Sequence, residues 1–320
     1  MIDPVLFGKA VIYSSLLILL SLGLTLTYLT TKVPNFSHAT FAAIGAFVIL
    51  TLTSEQFLGG NVYNYLIIAS IVSGIVSLAQ YILVLRPLIK RRASIISLMI
   101  TTLAIDFILV SLLNIYADYL LQTFHITNAR YFILTKNDVV IAGQNGVLIV
   151  APILAIMIVS LLYLALTRTR FGISMRAAIE DSSLASVVGV NVNFVYSVSW
   201  FTAGALAGLA GGLIPLYIPG NPTLGNTLIV PTFAGSTVGG LFNIYGAVLG
   251  GLLIGFAESL GTRFLSSLLG SWVLPYKPLI PLIAISITLL LSPRGIMGTN
   301  WKRVIARVQE SVFKKTEKET

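Results

Sequence analysis

Long apolar stretches, nearly free of charge, recur along this chain, and nothing else in the sequence narrows the fold as much. Seven runs, at 9–30, 62–85, 94–116, 147–166, 194–217, 243–261 and 276–291, approach or exceed the ~20 apolar residues that carry a helix across a bilayer. Two further segments are shorter and broken by small residues. One is at 38–53. The other, at 224–240, contains Pro231, Gly235 and Gly239, and predicts a crossing with an unwound part. The chain is 56% hydrophobic and only 10% charged, whereas a soluble domain carries roughly 25% charged residues. The expected fold is therefore all-α and polytopic. It has eight spans if the two broken segments make one crossing between them, and nine if each crosses. Residues 1–293 form one membrane domain and 294–320 a basic tail. The first 20 residues lack the basic start of a cleavable signal, and their apolar run is too long for one.

The net charge of +9 is not spread evenly. Arg86, Lys90, Arg91 and Arg92 form one group, and Arg168, Arg170 and Arg176 a second. Arg294, Lys302, Arg303, Arg307, Lys314, Lys315 and Lys318 form a third. With Lys32 these make fifteen of the 20 basic residues. Basic residues beside spans gather on the cytoplasmic side. That bias puts these groups and the C-terminus inside, and Lys9, Arg130, Lys136, Arg263 and Lys277 outside. The clustering beside spans also argues against a nucleic-acid partner.

The polar stretch 168–193 separates two strong spans and falls inside by the same bias. Gly172 is expected to break it from the preceding span. Residues 173–188 favour helix, and Gly189 sits where a left-handed C-terminal residue is expected. At 100° per residue Ile173, Ala177, Leu184, Val187 and Val188 share one face. Glu180 falls within that face, one turn after Arg176, and is expected to pair with it. Met175 and Ile179 lie opposite, so both sides have an apolar surface to bury.

This stretch resembles the cytoplasmic coupling segment of LivH-type permeases of branched-chain amino acid ABC transporters. The matching residues are Arg176, Ala177, Glu180, Asp181, Ala185, Gly189 and Asn191. LGLTLTYLTTKVPNFSHATFAAIGAF at 22–47 and STVGGLFNIYGAVLGGLLIGFAESL at 236–260 are similar to two further stretches of that family. Order and spacing agree over about 10–295. The resemblance implies two cytoplasmic ATPase subunits seated on 168–193. It also implies a second permease, either homologous or a second copy, and an extracytoplasmic solute-binding protein, all at the plasma membrane. Branched-chain or related amino acids would be the solute, although urea, short amides and other small solutes are carried within the family.

The residues themselves exclude several chemistries. There is no Gly-x4-Gly-Lys-[Ser/Thr] phosphate loop, no His-Glu-x-x-His and no Gly-x-Ser-x-Gly. With no Cys and two His, no metal site is expected. The chain reads as a non-enzyme with no cofactor of its own, so ATP would be used by partner chains.

The candidate solute path rests on polar groups within apolar surroundings. Asn35, Ser37, His38 and Thr40 open the first short segment, and Thr232, Ser236 and Thr237 lie in the second. Asp106 and Glu258 are acids at membrane depth, where a charge costs ~2.5–3.5 kcal/mol. Each is either a cavity-facing group or a hydrogen-bonded structural carboxyl, and Glu258 falls near the outer end of its span. Asp106 departs from the resembled family, where an uncharged residue is usual. A stand-alone secondary transporter or channel is the alternative, with Asp106 as its one good ion-coupling candidate. Gly204, Gly208 and Gly212, spaced by four, read as a helix-packing face. A long span, a Pro/Asn turn and a short helix occur at 10–53 and again at 194–240, as in transporters with repeated halves.

The chain lacks Cys, so topology is open to a direct check. A Cys at Ser182 should react with impermeant thiol reagents only from the cytoplasmic side, and one at Asn137 only from outside. Reversed labelling would overturn the orientation.

Overall fold

The computed structural model describes residues 4–141 and 143–298. Helix α1 (Pro4–Thr31) leads through a tucked loop to the short α2 (His38–Thr53). A third rod begins with a 3-10 turn at Val62–Tyr65. It continues as α3 (Leu66–Gln80), a π turn at Tyr81–Leu85 and α4 (Arg86–Lys90). Helix α5 (Ile95–Phe124) is followed by a 3-10 turn at Thr135–Asn137. A small antiparallel hairpin, β1 (Val140–Ile141) with β2 (Gln144–Asn145), comes next. Then come α6 (Val147–Arg168), α7 (Arg170–Glu180), α8 (Ser182–Val187) and α9 (Val192–Leu213). The last elements are α10 (Leu224–Gly239), α11 (Ile244–Leu269), α12 (Leu279–Leu291) and α13 (Gly295–Gly298). Among the described residues seven rods are long and apolar enough to cross a membrane. Two more helices, α2 and α10, have 16 residues each.

The polytopic helical fold is as the sequence predicts, with three local differences, the first being that α5 continues eight residues past 116 to Phe124. The expected unwinding in 224–240 is absent, because α10 runs unbroken through Pro231 with both flanks of that residue packed. Helix α11 continues eight residues past 261, through Thr262 and Arg263. Of the basic tail, Lys302, Arg303, Arg307, Lys314, Lys315 and Lys318 lie outside the described residues.

The packing follows a swapped pattern. Helix α9 lies on α3 as α1 lies on α11. Helix α2 touches α3 and α9, as α10 touches α11 and α1. Exchanging α1–α2–α3 with α9–α10–α11 therefore carries each of these main pairings onto another. The two triplets also run in opposite directions, which is the geometry of an inverted repeat.

The basic groups gather at one end of the bundle. Lys32 lies 5.5 Å over the Phe242 ring, just before α11 begins. Val33, Tyr81, Leu85, Leu98 and Trp200 form one small cluster there, and Tyr196 reaches the Ala178 carbonyl of α7. Lys9 and the hairpin lie at the opposite end, where Gln144, Asn145 and Lys9 border one cavity. Lys277 is also at that end, beside Tyr13 near the start of α1.

Gly208 shows how the core closes. A Cβ there would stand 2.6 Å from the Ala69 carbonyl oxygen and 2.6 Å from the Ser73 Cβ. Lipid offers no hydrophobic drive for helix association, so close backbone contact replaces it. Ser73 and Ser77 of α3 add hydrogen bonds to the carbonyls of Phe41 (3.0 Å) and Trp200 (2.7 Å). Gly208→Leu should destabilise the bundle by roughly 3 kcal/mol through overpacking. A lower thermal midpoint of the purified chain in detergent would show this, and an unchanged midpoint would contradict the packing argument.

Candidate functional site

The loop between α1 and α2 descends into the helix layer. The backbone N–H of Phe36 donates to the Thr102 hydroxyl at 3.3 Å, and Thr102 lies about 10 Å along α5 from its start. His38 Nε2 lies 3.0 Å from the Leu20 carbonyl, about 16 Å before the end of α1. Helix α2 thus starts well inside the layer. Helix α10 starts inside it too: its first turn meets α2, while Gly240 just past its other end meets the Arg294 carbonyl at the basic end. The two starts meet: a Cβ on Gly225 would stand 2.8 Å from the Thr40 Cα.

This junction collects the polar residues singled out at 35–40. The Ser37 hydroxyl is 2.8 Å from both Asn35 Oδ1 and Gln80 Oε1, and Gln80 Nε2 donates to Asn35 Oδ1 at 3.1 Å. Thr40 Oγ1 donates to Asp106 Oδ1 at 2.5 Å. Asn35, Ser37, His38, Thr40 and Asp106 are all buried. Asn35 Nδ2 and His38 Nδ1 have no hydrogen-bond partner among the described residues. Buried polar groups are normally satisfied, so these two carry unused bonding capacity. Gln80 completes the knot and is absent from the sequence-derived set. Its signal was a lone amide at the inner end of an apolar run.

The remaining path candidates separate. Thr232 Oγ1 donates back to the Leu228 carbonyl at 2.6 Å, and Ser236 donates to the Ser21 carbonyl at 2.9 Å. Both tie α10 together and to α1. Thr237 is half-buried, on the same side of α10 as Phe233, whose ring lies 5.3 Å from Phe36. Glu258 is apart from the junction. It accepts from the Tyr13 hydroxyl at 3.0 Å and lies 3.3 Å from Lys277 Nζ, joining α1, α11 and the approach to α12.

The 168–193 stretch differs from expectation in three ways. The preceding span ends at Thr169, whose hydroxyl accepts from the Gly172 N–H, so Gly172 lies inside α7. The expected single helix is two. Asp181 interrupts it because its carboxylate caps α8, accepting from Ser183 N (2.8 Å) and Leu184 N (3.0 Å). Arg176 does not pair with Glu180 but donates to the Leu166 carbonyl at 2.7 Å. Gly189 adopts the expected positive φ, +91°. The N–H of Val190 bonds to Ala185 O and that of Gly189 to Ser186 O, which closes a Schellman turn. Met175, Ala178 and Ala185 are buried, and Ala177 is half-buried. Ile173, Leu184, Val187 and Val188 are exposed, Val187 at 82%.

The polar knot has a direct energetic test. Asp106→Asn keeps the acceptor that Thr40 uses and should leave stability within about 0.5 kcal/mol. Gln80→Leu leaves Ser37 and Asn35 short of partners and should cost about 1–3 kcal/mol. Thermal midpoints of the two purified variants should fall in that order.

The family model for branched-chain amino acid transport system / permease component matches residues 6–291. The chain is 45% identical over 302 residues to a probable branched-chain amino acid transport permease protein LivH of Methanocaldococcus jannaschii, covering 94% of this chain and 95% of that one. It is 25% identical to the high-affinity branched-chain amino acid transport system permease protein LivH of Escherichia coli, covering 88% and 90%. A 32% identity over 117 residues, a third of each chain, links it to the nucleoside ABC transporter permease protein NupC of Lactococcus lactis. No solved structure gives a significant match. A match over residues 6–291, with the junction and the 168–193 segment inside it, makes this chain a member of the branched-chain amino acid transport permease family.

Proposed function

We propose that the chain is the permease subunit of an ATP-driven importer for branched-chain or related amino acids. It spans the plasma membrane several times with its C-terminus in the cytoplasm. The observation that carries the reading is the exposed apolar face of α7 and α8. Ile173, Leu184, Val187 and Val188 point away from the bundle at its basic end. Apolar side chains clustered on an exposed segment mark a protein-binding surface. The opposite face, with Met175 and Ala178, is already packed on the spans, so a push on one face passes to the other. Two ATPase subunits would seat here, one on each of two permeases, either homologous or identical. A solute-binding protein would deliver solute at the opposite end. ATP binding would then shift the permease between inward-open and outward-open states through different contacts with the ATPases in each.

The solute would pass the junction of α2 and α10. Short helices meeting at mid-membrane with free polar groups are a recurring transporter site. Asn35 Nδ2 and His38 Nδ1 supply such groups here. Thr40, Asp106 and Thr237 border or approach the same region, Thr232 and Ser236 support it from their ties to α1, and Glu258 lies apart from it, tied to Tyr13 and Lys277. The relative named as a nucleoside permease favours a second solute class, nucleosides or other small polar molecules, for the same machinery.

Purification from native membrane without crosslinking should recover ATPase chains, and vesicles rebuilt with them and the binding protein should take up leucine with ATP. Val187→Asp should leave the fold unchanged yet weaken ATPase binding by roughly tenfold. Gly189→Val should strain its backbone by about 1–3 kcal/mol and misdirect α8. Wild-type ATPase recovery and uptake in both variants would remove the coupling role. Absence of any ATPase chain would favour a stand-alone transporter.

A further inference from the structure

A groove of about 370 Å³ lies at the basic end between α1, α6, α7 and α11. Its walls are apolar: Leu22, Leu29, Val159, Leu162, Ile179 and Val248. Leu22 to Leu29 is about 10 Å along α1, so the groove is elongated along the membrane normal. Tyr163 and Tyr245, with rings 5.8 Å apart, both line it and are about half exposed. Tyrosines prefer the bilayer interface.

The basic end of the groove carries charge. Arg176 lines it, and Lys32 stands over the ring of Phe242, another lining residue. Arg294 shares Phe242 and Asn243 with it through an adjoining cavity. Glu180 is the acid at this rim, so three cations face one carboxylate. Arg176 holds the Leu166 carbonyl, while Lys32 and Arg294 form no ion pair among the described residues.

We infer that this groove binds one anionic membrane lipid. Its chain lies along α1 between α6 and α11, and its phosphate lies at Lys32, Arg176 and Arg294. Apolar walls exclude a small hydrated anion from the depth of the groove, while the cationic rim selects an anionic head over a neutral one. The sequence beyond Gly298 is itself basic, with Lys302, Arg303 and Arg307. Helix α7 forms one wall, so a seated lipid braces the segment proposed to receive the ATPase. Lipid binding depends only on the groove, and its consequence for coupling rests on the transport reading above.

The test is native mass spectrometry of the delipidated full-length protein, with its partners, titrated with dioleoyl phosphatidylglycerol or dioleoyl phosphatidylcholine. One phosphatidylglycerol should bind at least about tenfold tighter than phosphatidylcholine, and K32Q/R294Q should weaken it roughly 25-fold, about fivefold per cation. Val159→Trp should fill the groove and remove the bound lipid. Millimolar inorganic phosphate should not displace it. Equal binding of the two lipids, or full binding by both variants, would reduce the lipid to a general annulus and overturn the proposal. Displacement by inorganic phosphate would make this a free-anion site. A several-fold gain in lipid binding when the chain ends at Gly298 would put residues 299–320 in the groove instead. In vesicles, ATP consumed per leucine carried should fall when phosphatidylglycerol is added to wild type but not to K32Q/R294Q. Bound lipid is read without transport, so failure of the importer reading leaves the first result intact.

Discussion

Backbone contact between helices is the interaction on which this structure depends. In lipid the apolar side chains gain nothing by leaving their surroundings, so association must come from fit and from hydrogen bonds. Helix α9 supplies both. Gly208 lets it touch the Ala69 carbonyl of α3, and its Trp200 carbonyl accepts from Ser77. Helix α1 does the same for α11, with Ser14 and Ile18 set against Gly255 and Gly251. These two pairings fix the frame, and the outer helices α5, α6 and α12 lean on it with mostly exposed apolar faces.

The frame leaves room for two helices that do not cross in full. A helix start inside the hydrocarbon has backbone N–H groups with no water to receive them. The structure places the starts of α2 and α10 together, gives the Phe36 N–H to the Thr102 hydroxyl, and gathers Asn35, Ser37, Thr40, Gln80 and Asp106 into side-chain hydrogen bonds beside them. Neither start is capped by a side chain, and the polar groups beside them bond to one another; these are the groups proposed above to border the solute path.

Charge divides the molecule along its length. The basic end carries the α7–α8 segment, the lipid-shaped groove and the exposed apolar face, and the opposite end carries the hairpin and the Tyr13–Glu258–Lys277 tie. Helix α7 has contacts on α6 and α9, and α8 is held by a cap at Asp181 and a turn at Gly189. Both are short, so their position is set by what they rest on more than by their own helix propensity.

The sequence alone determined the membrane class, the helical fold, the division of charge and the boundaries of most rods. Each rests on a local cause: apolar length, basic residues beside spans, and turn residues such as Gly189. It also marked the 35–40 knot, because polar residues stand out in an apolar run. Only the tertiary structure decided which polar groups meet. Gln80 and Asn35 are 45 residues apart and Thr40 and Asp106 are 66 apart. No periodicity encodes such pairs. Tertiary structure likewise gave Glu258 to Tyr13 and Lys277 and turned Arg176 to the Leu166 carbonyl instead of Glu180. It also fixed which apolar face of α7 and α8 is packed and which is bare. Sequence spacing shows that two faces exist, but the side facing the spans depends on where the helix lies against them.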